Sequence, residues 1–175
     1  MFYRLMFVTM LFICTNLFAN NIEDLKTFEA DFTQVIVNNA NKEIKYSGKI
    51  YIKEPSKIVW KYKTPIIKNV YINKDFAIID EPELEQAIFT SLKKEIHIVK
   101  LLENARKTGE NTYATSMYDI NFNLLIKEGR INSINYKDEI DNDITILFDN
   151  IQQNHELDDK HFNFQPPFEY DIIRK

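Results

Sequence analysis

Cysteine is all but missing from the 175 residues: the one example, Cys14, sits in an apolar run at the start of the chain. What remains once that run is removed can form no internal disulfide and no cysteine–zinc site, so its stability has to come from packing. Glycine is scarce as well. Gly48, Gly109 and Gly129 cannot make up the G-x-x-x-x-G-K-[ST] loop of a nucleotide site, and no G-x-S-x-G elbow offers a catalytic serine. Positive charge is in deficit, with 22 Lys and Arg against 26 Asp and Glu, a net charge of minus four that becomes minus five without Arg4. That balance argues against a nucleic-acid partner. After the first segment no run is long and apolar enough to span a bilayer as a helix, so a soluble mature protein is expected.

The first segment, MFYRLMFVTMLFICTNLFA, has Arg4 ahead of an apolar run from Leu5 to Cys14, and Ala19 just before Asn20-Asn21. It reads as a secretory signal peptide, residues 1–19, cleaved after Ala19, with an uncleaved anchor as the competing reading. Ile13 ahead of Cys14 is not the small residue that precedes a lipidated cysteine, which disfavours a lipoprotein signal. Residues 20–175 are then one domain, of a size that a single core supports.

What is present in abundance is alternation. Phe28, Ala30, Phe32 and Ile36 share one side of a strand, with Glu29, Asp31 and Thr33 opposite. YSGKIYIKEPSKIVWKYKTP, residues 46–65, continues the pattern: Ile44, Tyr46, Ile50 and Ile52, then Ile58, Trp60 and Tyr62, point one way on either side of Pro55. Further strands are expected at Ile67–Asn73, Phe76–Asp80, Leu84–Phe89, Thr112–Met117, Ile120–Lys127, Ile131–Lys137 and Ile144–Ile151. A turn is expected at Glu128-Gly129 and a last strand near FNFQ, before Pro166-Pro167. A short helical start is expected around Ile22 to Lys26. A second helix follows from the spacing of Leu92, Ile96, Val99 and Leu102 to Glu103, with Gly109 offering a stop, and a strand through Ile96 and Ile98 is the competing reading. The fold class is mainly β with a few helices: a meandering antiparallel sheet wide enough to curl, whose hollow side must be filled by side chains, a lid or a ligand.

Other chemistries fare poorly. His155 and His161 flank Asp158 and Asp159 without a recognised metal-ligand spacing, and a solvated loop explains them better. Asp80, Glu81, Glu83 and Glu85 surround Pro82, which favours an exposed turn over a catalytic carboxylate pair. No catalytic residue, cofactor or metal is expected, and the chain is read as a non-enzyme.

Four motifs, in order, resemble the periplasmic outer-membrane lipoprotein carriers, the LolA family. TFEADFTQ, residues 27–34, resembles the family's opening F-x-A-x-F-x-Q strand. Gly48, Pro55, Trp60 and Pro65 fit its G-to-W-to-P segment, Pro82 and Gln86 a proline and glutamine four residues apart, and FNFQPP, residues 162–167, its F-x-F-x-P-P. The resemblance implies a strongly curved antiparallel sheet, an incomplete β-barrel, covered by an α-helical lid. It implies a hollow that receives the acyl chains of lipoproteins released by an ATP-driven inner-membrane complex and passes them to an outer-membrane receptor of the same fold. The expected protein is thus a periplasmic monomer. Phe28, Phe32, Ile50, Ile52, Trp60 and Tyr62 are the candidate lipid-binding residues, and Leu92, Ile96 and Val99 the lid. Taken singly, each is equally well explained by ordinary core packing. The alternatives are the same-fold receptor, another envelope lipid-binding protein, or a non-enzymatic envelope interaction module.

One position departs from the pattern. Family members commonly carry an arginine before the proline of the second motif, where it holds the lid shut; here it is Glu54. A carboxylate cannot donate as a guanidinium does, which leaves Lys53, Lys57 or apolar packing to close this lid. The physics of the implied task is simple. Each buried methylene is worth about 0.8 kcal/mol, so an acyl chain of roughly 16 carbons costs about 12 kcal/mol to expose, and a carrier must cover it while holding it less firmly than the acceptor does.

Overall fold

The structure, a computed structural model, describes residues 25–74, 76–91 and 98–175. The signal peptide, its cleavage after Ala19 and the lid residues Leu92 and Ile96 lie outside the described residues.

Where residues alternate, strands form. The chain runs through β1 (Thr27–Val37), β2 (Glu43–Lys53), β3 (Lys57–Thr64), β4 (Lys68–Asn73), β5 (Phe76–Glu81) and β6 (Gln86–Ser91) as one meander. It then passes through the helix α1 (Ile98–Glu103) to a second meander: β7 (Arg106–Lys107), β8 (Thr112–Met117), β9 (Ile120–Lys127), β10 (Arg130–Lys137) and β11 (Asp143–Gln153). A last strand, β12 (Asp171–Arg174), closes the sequence. All twelve join one sheet, ordered β12-β6-β5-β4-β3-β2-β1-β11-β10-β9-β8-β7. The two meanders meet where β1 pairs with β11, with Phe32 opposite Phe148. β6 and β7 lie towards opposite edges of the sheet, and α1, between them in sequence, packs into the core on its concave side.

The sheet is strongly curved. Tyr62 on β3 and Tyr136 on β10 are four strand spacings apart, about 19 Å in a flat sheet. Yet the Tyr62 phenol lies close enough to add to the upward push that burial gives the Tyr136 hydroxyl. Curvature brings the concave faces of both meanders onto α1 in one apolar core. On the convex side, residues 154–170 form a strap. Its His161 ring stacks on Tyr51 at 4.3 Å, Phe164 packs on Tyr71, and Asp159 bridges Lys53 and Lys57 at 3.1 Å each.

The turns follow from local chemistry. Glu128 and Gly129, both at positive φ, make the tight turn between β9 and β10. The loops 38–42 and 138–142 are built alike: Asn38 accepts through Oδ1 from the amides of Ala40 and Lys42, and Asp138 through Oδ1 from those of Ile140 and Asn142. Both loops, the turn at Tyr118-Asp119, residues 65–67 and residues 82–85 lie at the same end of the strands, which we call the rim.

Five expectations need correction. Leu25 and Lys26 are not helical, because the Lys26 amide donates to Asn154 and its carbonyl accepts from Glu54, which ties the segment to neighbouring strand ends. Leu84 belongs to a 3-10 turn starting at Pro82, so the strand begins at Gln86, just after Glu85 in the left-handed region. Gly109 does not end the helix: it ends at Glu103, where the Asn104 side chain donates back to the Lys100 carbonyl. FNFQ is extended but joins no strand, since the strap holds it by its side chains; the last strand is β12. Finally, β12 pairs with β6 in parallel, so the sheet is not wholly antiparallel.

Candidate functional site

The six residues proposed to meet lipid come from three adjacent strands. β1 contributes Phe28 and Phe32, β2 Ile50 and Ile52, and β3 Trp60 and Tyr62, all in the phase that faces inward. Pairing aligns them: Phe28 lies opposite Ile52, Ile50 opposite Trp60, and Gly48 opposite both Phe32 and Tyr62. The Phe32 ring meets Trp60 and Tyr62 edge-on, with centroids 4.9 and 5.1 Å away. Gly48 makes this packing feasible. A Cβ there would stand 2.0 Å from the Lys61 carbonyl oxygen and 2.9 Å from the Phe32 ring.

Burial along these strands is graded. Phe28 is 0% exposed and Phe32 2%, while Ile36 is only half-buried; Ile52 is 1% exposed and Ile44 50%. On β1 and β2 the concave face is therefore sealed at the end away from the rim and opens towards it, whereas on β9 and β11 it stays buried up to Phe122 and Ile144 near the rim. The seal includes α1, where Ile98, Val99, Leu101 and Leu102 are all buried and only Lys100 and Glu103 face out. Of the three lid residues read from sequence, Val99 lies on α1 and is 4% exposed, and the other two lie outside the described residues. Tyr62 sits at the transition, its hydroxyl pushed up to about 12 by burial and by Tyr46, and it donates to Gln34 Oε1 at 3.4 Å.

Sequence reasoning missed half of the concave wall. Phe122 and Leu124 on β9, Ile134 on β10, and Ile144, Ile146 and Phe148 on β11 are buried in the same core as Phe28 and Trp60. Their alternation is visible in the sequence, but nothing local says that the second meander curls round to face the first. Ile98 and Leu101, both fully buried, were likewise overlooked on the helix.

Glu54 does lie beside the helix. Burial and the charge of Glu103 push its carboxyl above the usual range, against the pull of Lys100 and Lys26. Lys53 and Lys57, the two lysines considered as substitutes for an arginine, are instead spent on Asp159 of the strap. The polar groups weighed for other chemistries are dispersed. His155 faces Glu29 at 3.4 Å, His161 stacks on Tyr51, and Asp158 accepts from the Lys160 amide. Asp80 accepts from Asn69 at 2.7 Å. An open groove of about 840 Å³ beside the rim is lined by Asn121, Asn123 and Asn135 and by five carboxylates, Asp119, Asp138, Glu139, Asp141 and Asp143. Its lining is wrong for hydrocarbon, and the apolar surface lies under α1 instead.

Comparison with known proteins bears on what this geometry is for. The family model described as "Outer membrane lipoprotein carrier protein LolA" matches residues 23–119, from just before β1 to the end of β8 and its turn. The chain belongs to the LolA family. An outer-membrane lipoprotein carrier protein of Helicobacter hepaticus is 36% identical over 162 residues, covering 92% of this chain and 90% of that one. One from Campylobacter jejuni is 34% identical over 158 residues, covering 90% and 92%. One from Wolinella succinogenes is 32% identical over 154 residues, covering 87% and 90%. Among solved structures, an uncharacterized conserved protein from Thermus thermophilus superposes with a TM-score of 0.59 over 90% of this chain and 95% of the other, at 8% identity. A LolA superfamily protein from Nitrosomonas europaea does so with 0.51 over 83% and 94%, at 12% identity. These two likenesses are of fold.

Proposed function

We propose that this chain is a periplasmic, non-enzymatic carrier that binds the acyl chains of lipoproteins and moves them from the inner to the outer membrane. An ATP-driven inner-membrane complex supplies the cargo and an outer-membrane receptor takes it. Residues 20–175 act as one domain. Phe28, Phe32, Ile50, Ile52, Trp60 and Tyr62 take the hydrocarbon, and α1 with Val99 covers them when the site is empty.

The observation that carries this reading is the concave face of β1 and β2: mainly apolar, sealed at the end where the helix of six residues lies and opening at the rim. An ordinary core has no reason to open in one direction. Since the six residues are covered by α1 and by one another, hydrocarbon reaches them only when the helix moves. The site is thus one that opens for its ligand and closes after release, which keeps about 12 kcal/mol worth of acyl surface out of water.

The test is release. Inner-membrane vesicles bearing newly made lipoproteins, incubated with ATP and this protein, are expected to lose lipoprotein to the soluble fraction. Trp60→Glu, which sets a carboxylate in the apolar wall, is expected to abolish that transfer while circular dichroism shows the sheet intact. A folded wild-type protein that extracts nothing refutes the carrier reading. A folded Trp60→Glu variant that extracts normally removes Trp60 from the site.

A further inference from the structure

Nine large apolar side chains are exposed among the described residues, and all but Phe76 and Leu147 stand at the rim. Exposed apolar groups are ordinary when scattered and informative when gathered. The rim is not uniform in charge. At residues 82–85 and 138–143, which lie on either side of the β2–β4 strand ends in the strand order, Leu84 and Ile140 stand among Glu83, Glu85, Glu139 and Asp141. Along the arc of β2, β3 and β4, the picture reverses. Ile44, Ile66 and Ile67 are 50%, 42% and 49% exposed, and around them stand Lys42, Lys45, Lys63 and Lys68 with Glu43 as the nearby carboxylate. Further down the sheet Lys49 pairs with Glu29, and Lys53 and Lys57 share the single carboxylate of Asp159. The four rim lysines form no ion pair among the described residues; Lys68 rests over the Tyr62 ring at 4.8 Å.

We propose that this arc binds directly to the surface of an anionic lipid bilayer, with Ile66 and Ile67 entering the interface and Lys42, Lys45, Lys63 and Lys68 meeting the headgroups. Three features favour a bilayer over a protein partner. The isoleucines sit on strand ends and a connecting loop that project from the sheet, so they offer tips rather than a groove, and tips suit a fluid surface that has no shape of its own. Unpaired lysines interleaved with apolar tips match the two layers of a membrane interface, charged outside and hydrocarbon within. The concave face opens at the same rim, so docking there turns its mouth to the membrane, where acyl chains are. The acidic segments that flank it in the strand order, residues 82–85 and 138–143, would be repelled, which confines the contact to the strand ends of β2, β3 and β4. The use of such docking rests on the carrier reading, but its test does not, because empty protein and pure lipid suffice.

The experiment is vesicle flotation of the full chain exported to and purified from the periplasm of an expression host, its N-terminus read by mass spectrometry. Vesicles of phosphatidylglycerol and phosphatidylcholine are compared with phosphatidylcholine alone, at low and high salt. Wild type is expected to float with the anionic vesicles and to be shed by high salt, whose screening weakens the lysine contribution. Ile66→Ser/Ile67→Ser is expected to bind at least tenfold more weakly, and each of Lys63→Gln and Lys68→Gln about fivefold. Phe76→Ser, at the opposite end, is expected to float like wild type and controls for whatever the shared N-terminus contributes. Fluorescent acyl-probe uptake, expected to survive in all four variants, separates lost docking from lost cargo binding. The proposal is overturned if wild type does not float, if it floats only on vesicles that contain membrane proteins, if neutral vesicles serve equally at any salt, or if the rim variants float as well as Phe76→Ser.

Discussion

Loosening α1 should tighten the grip on lipid. Four buried apolar side chains hold the helix in the concavity, each worth about 1.5–3 kcal/mol, so lifting it exposes surface worth about 6–12 kcal/mol. One acyl chain of roughly 16 carbons returns about 12 kcal/mol when buried in the same place. The two are close, which is what a carrier that must both load and release requires. Val99→Ala removes two methyl groups from the helix side of this balance, about 1.6 kcal/mol. If the helix must leave before the chain enters, the closed state loses that amount and the apparent affinity for an acyl ligand rises about 15-fold. The same substitution should lower the melting temperature by about 3–6 °C, since the empty protein is less stable. Displacement of a fluorescent fatty acid measures the first and calorimetry the second. A folded Val99→Ala protein that melts earlier yet binds the probe with unchanged or weaker affinity would refute the reasoning: α1 would then be part of a fixed core.

Other outcomes follow from individual contacts. Gly48→Ala places a methyl group 2.0 Å from the Lys61 carbonyl oxygen, so β3 has to shift, and a loss of about 3 kcal/mol or more is expected in urea denaturation; a loss below about 1 kcal/mol would show that β3 gives way freely. Glu54→Gln should stabilise the protein at pH 7. The wild-type carboxyl is held above its ordinary value by burial and Glu103, so its charged form penalises the fold at neutral pH, and the penalty is relieved as pH falls through the raised pKa towards 4.5. Melting curves of both proteins should therefore converge in acid, and a gap that persists at pH 4 would assign the effect to something other than charge. Glu29 runs the other way. Burial pushes it up, but the hydrogen bond and charge of Lys49, with His155, outweigh that and hold it below the usual range. Its stabilisation is present above pH 4.5 and lost as pH falls through the depressed value, so Lys49→Met should flatten the acid side of the stability profile.

The strands were legible because each is half-buried, and a half-buried strand prints its two faces in period two. Phe28 to Ile36 and Ile50 to Tyr62 carry that print without interruption, and the structure places them as read. What could not be read was anything set by curvature. Phe122 and Phe148 alternate as clearly as Phe28, but whether they face Trp60 or solvent depends on how far twelve strands bend. The strap was illegible for a related reason. Tyr51 and Tyr71 point to the convex side, and only the return of residues 154–170 over that side explains aromatic residues there. The short helix was legible in kind but not in extent: Ile98, Val99, Leu101 and Leu102 are buried and Lys100 and Glu103 face out, but six residues make less than two turns, too short a period from which to read its ends.

That last property also speaks to the charge reversal at Glu54. If a helix of six residues is held by four apolar side chains, the polar contact at its end need not supply the closing force; it needs only to bias the balance. At this position a lid-holding donor is replaced by a carboxylate that feels Lys100 as attraction and Glu103 as repulsion, two nearly opposed influences from the same helix. With apolar burial on α1 and on one acyl chain of comparable size, a bias of even 1.4 kcal/mol from the net of Lys100 and Glu103 moves the open population tenfold. On the carrier reading proposed above, the residue before Pro55 would bias how readily the concavity opens, while the apolar side chains of α1 do the sealing.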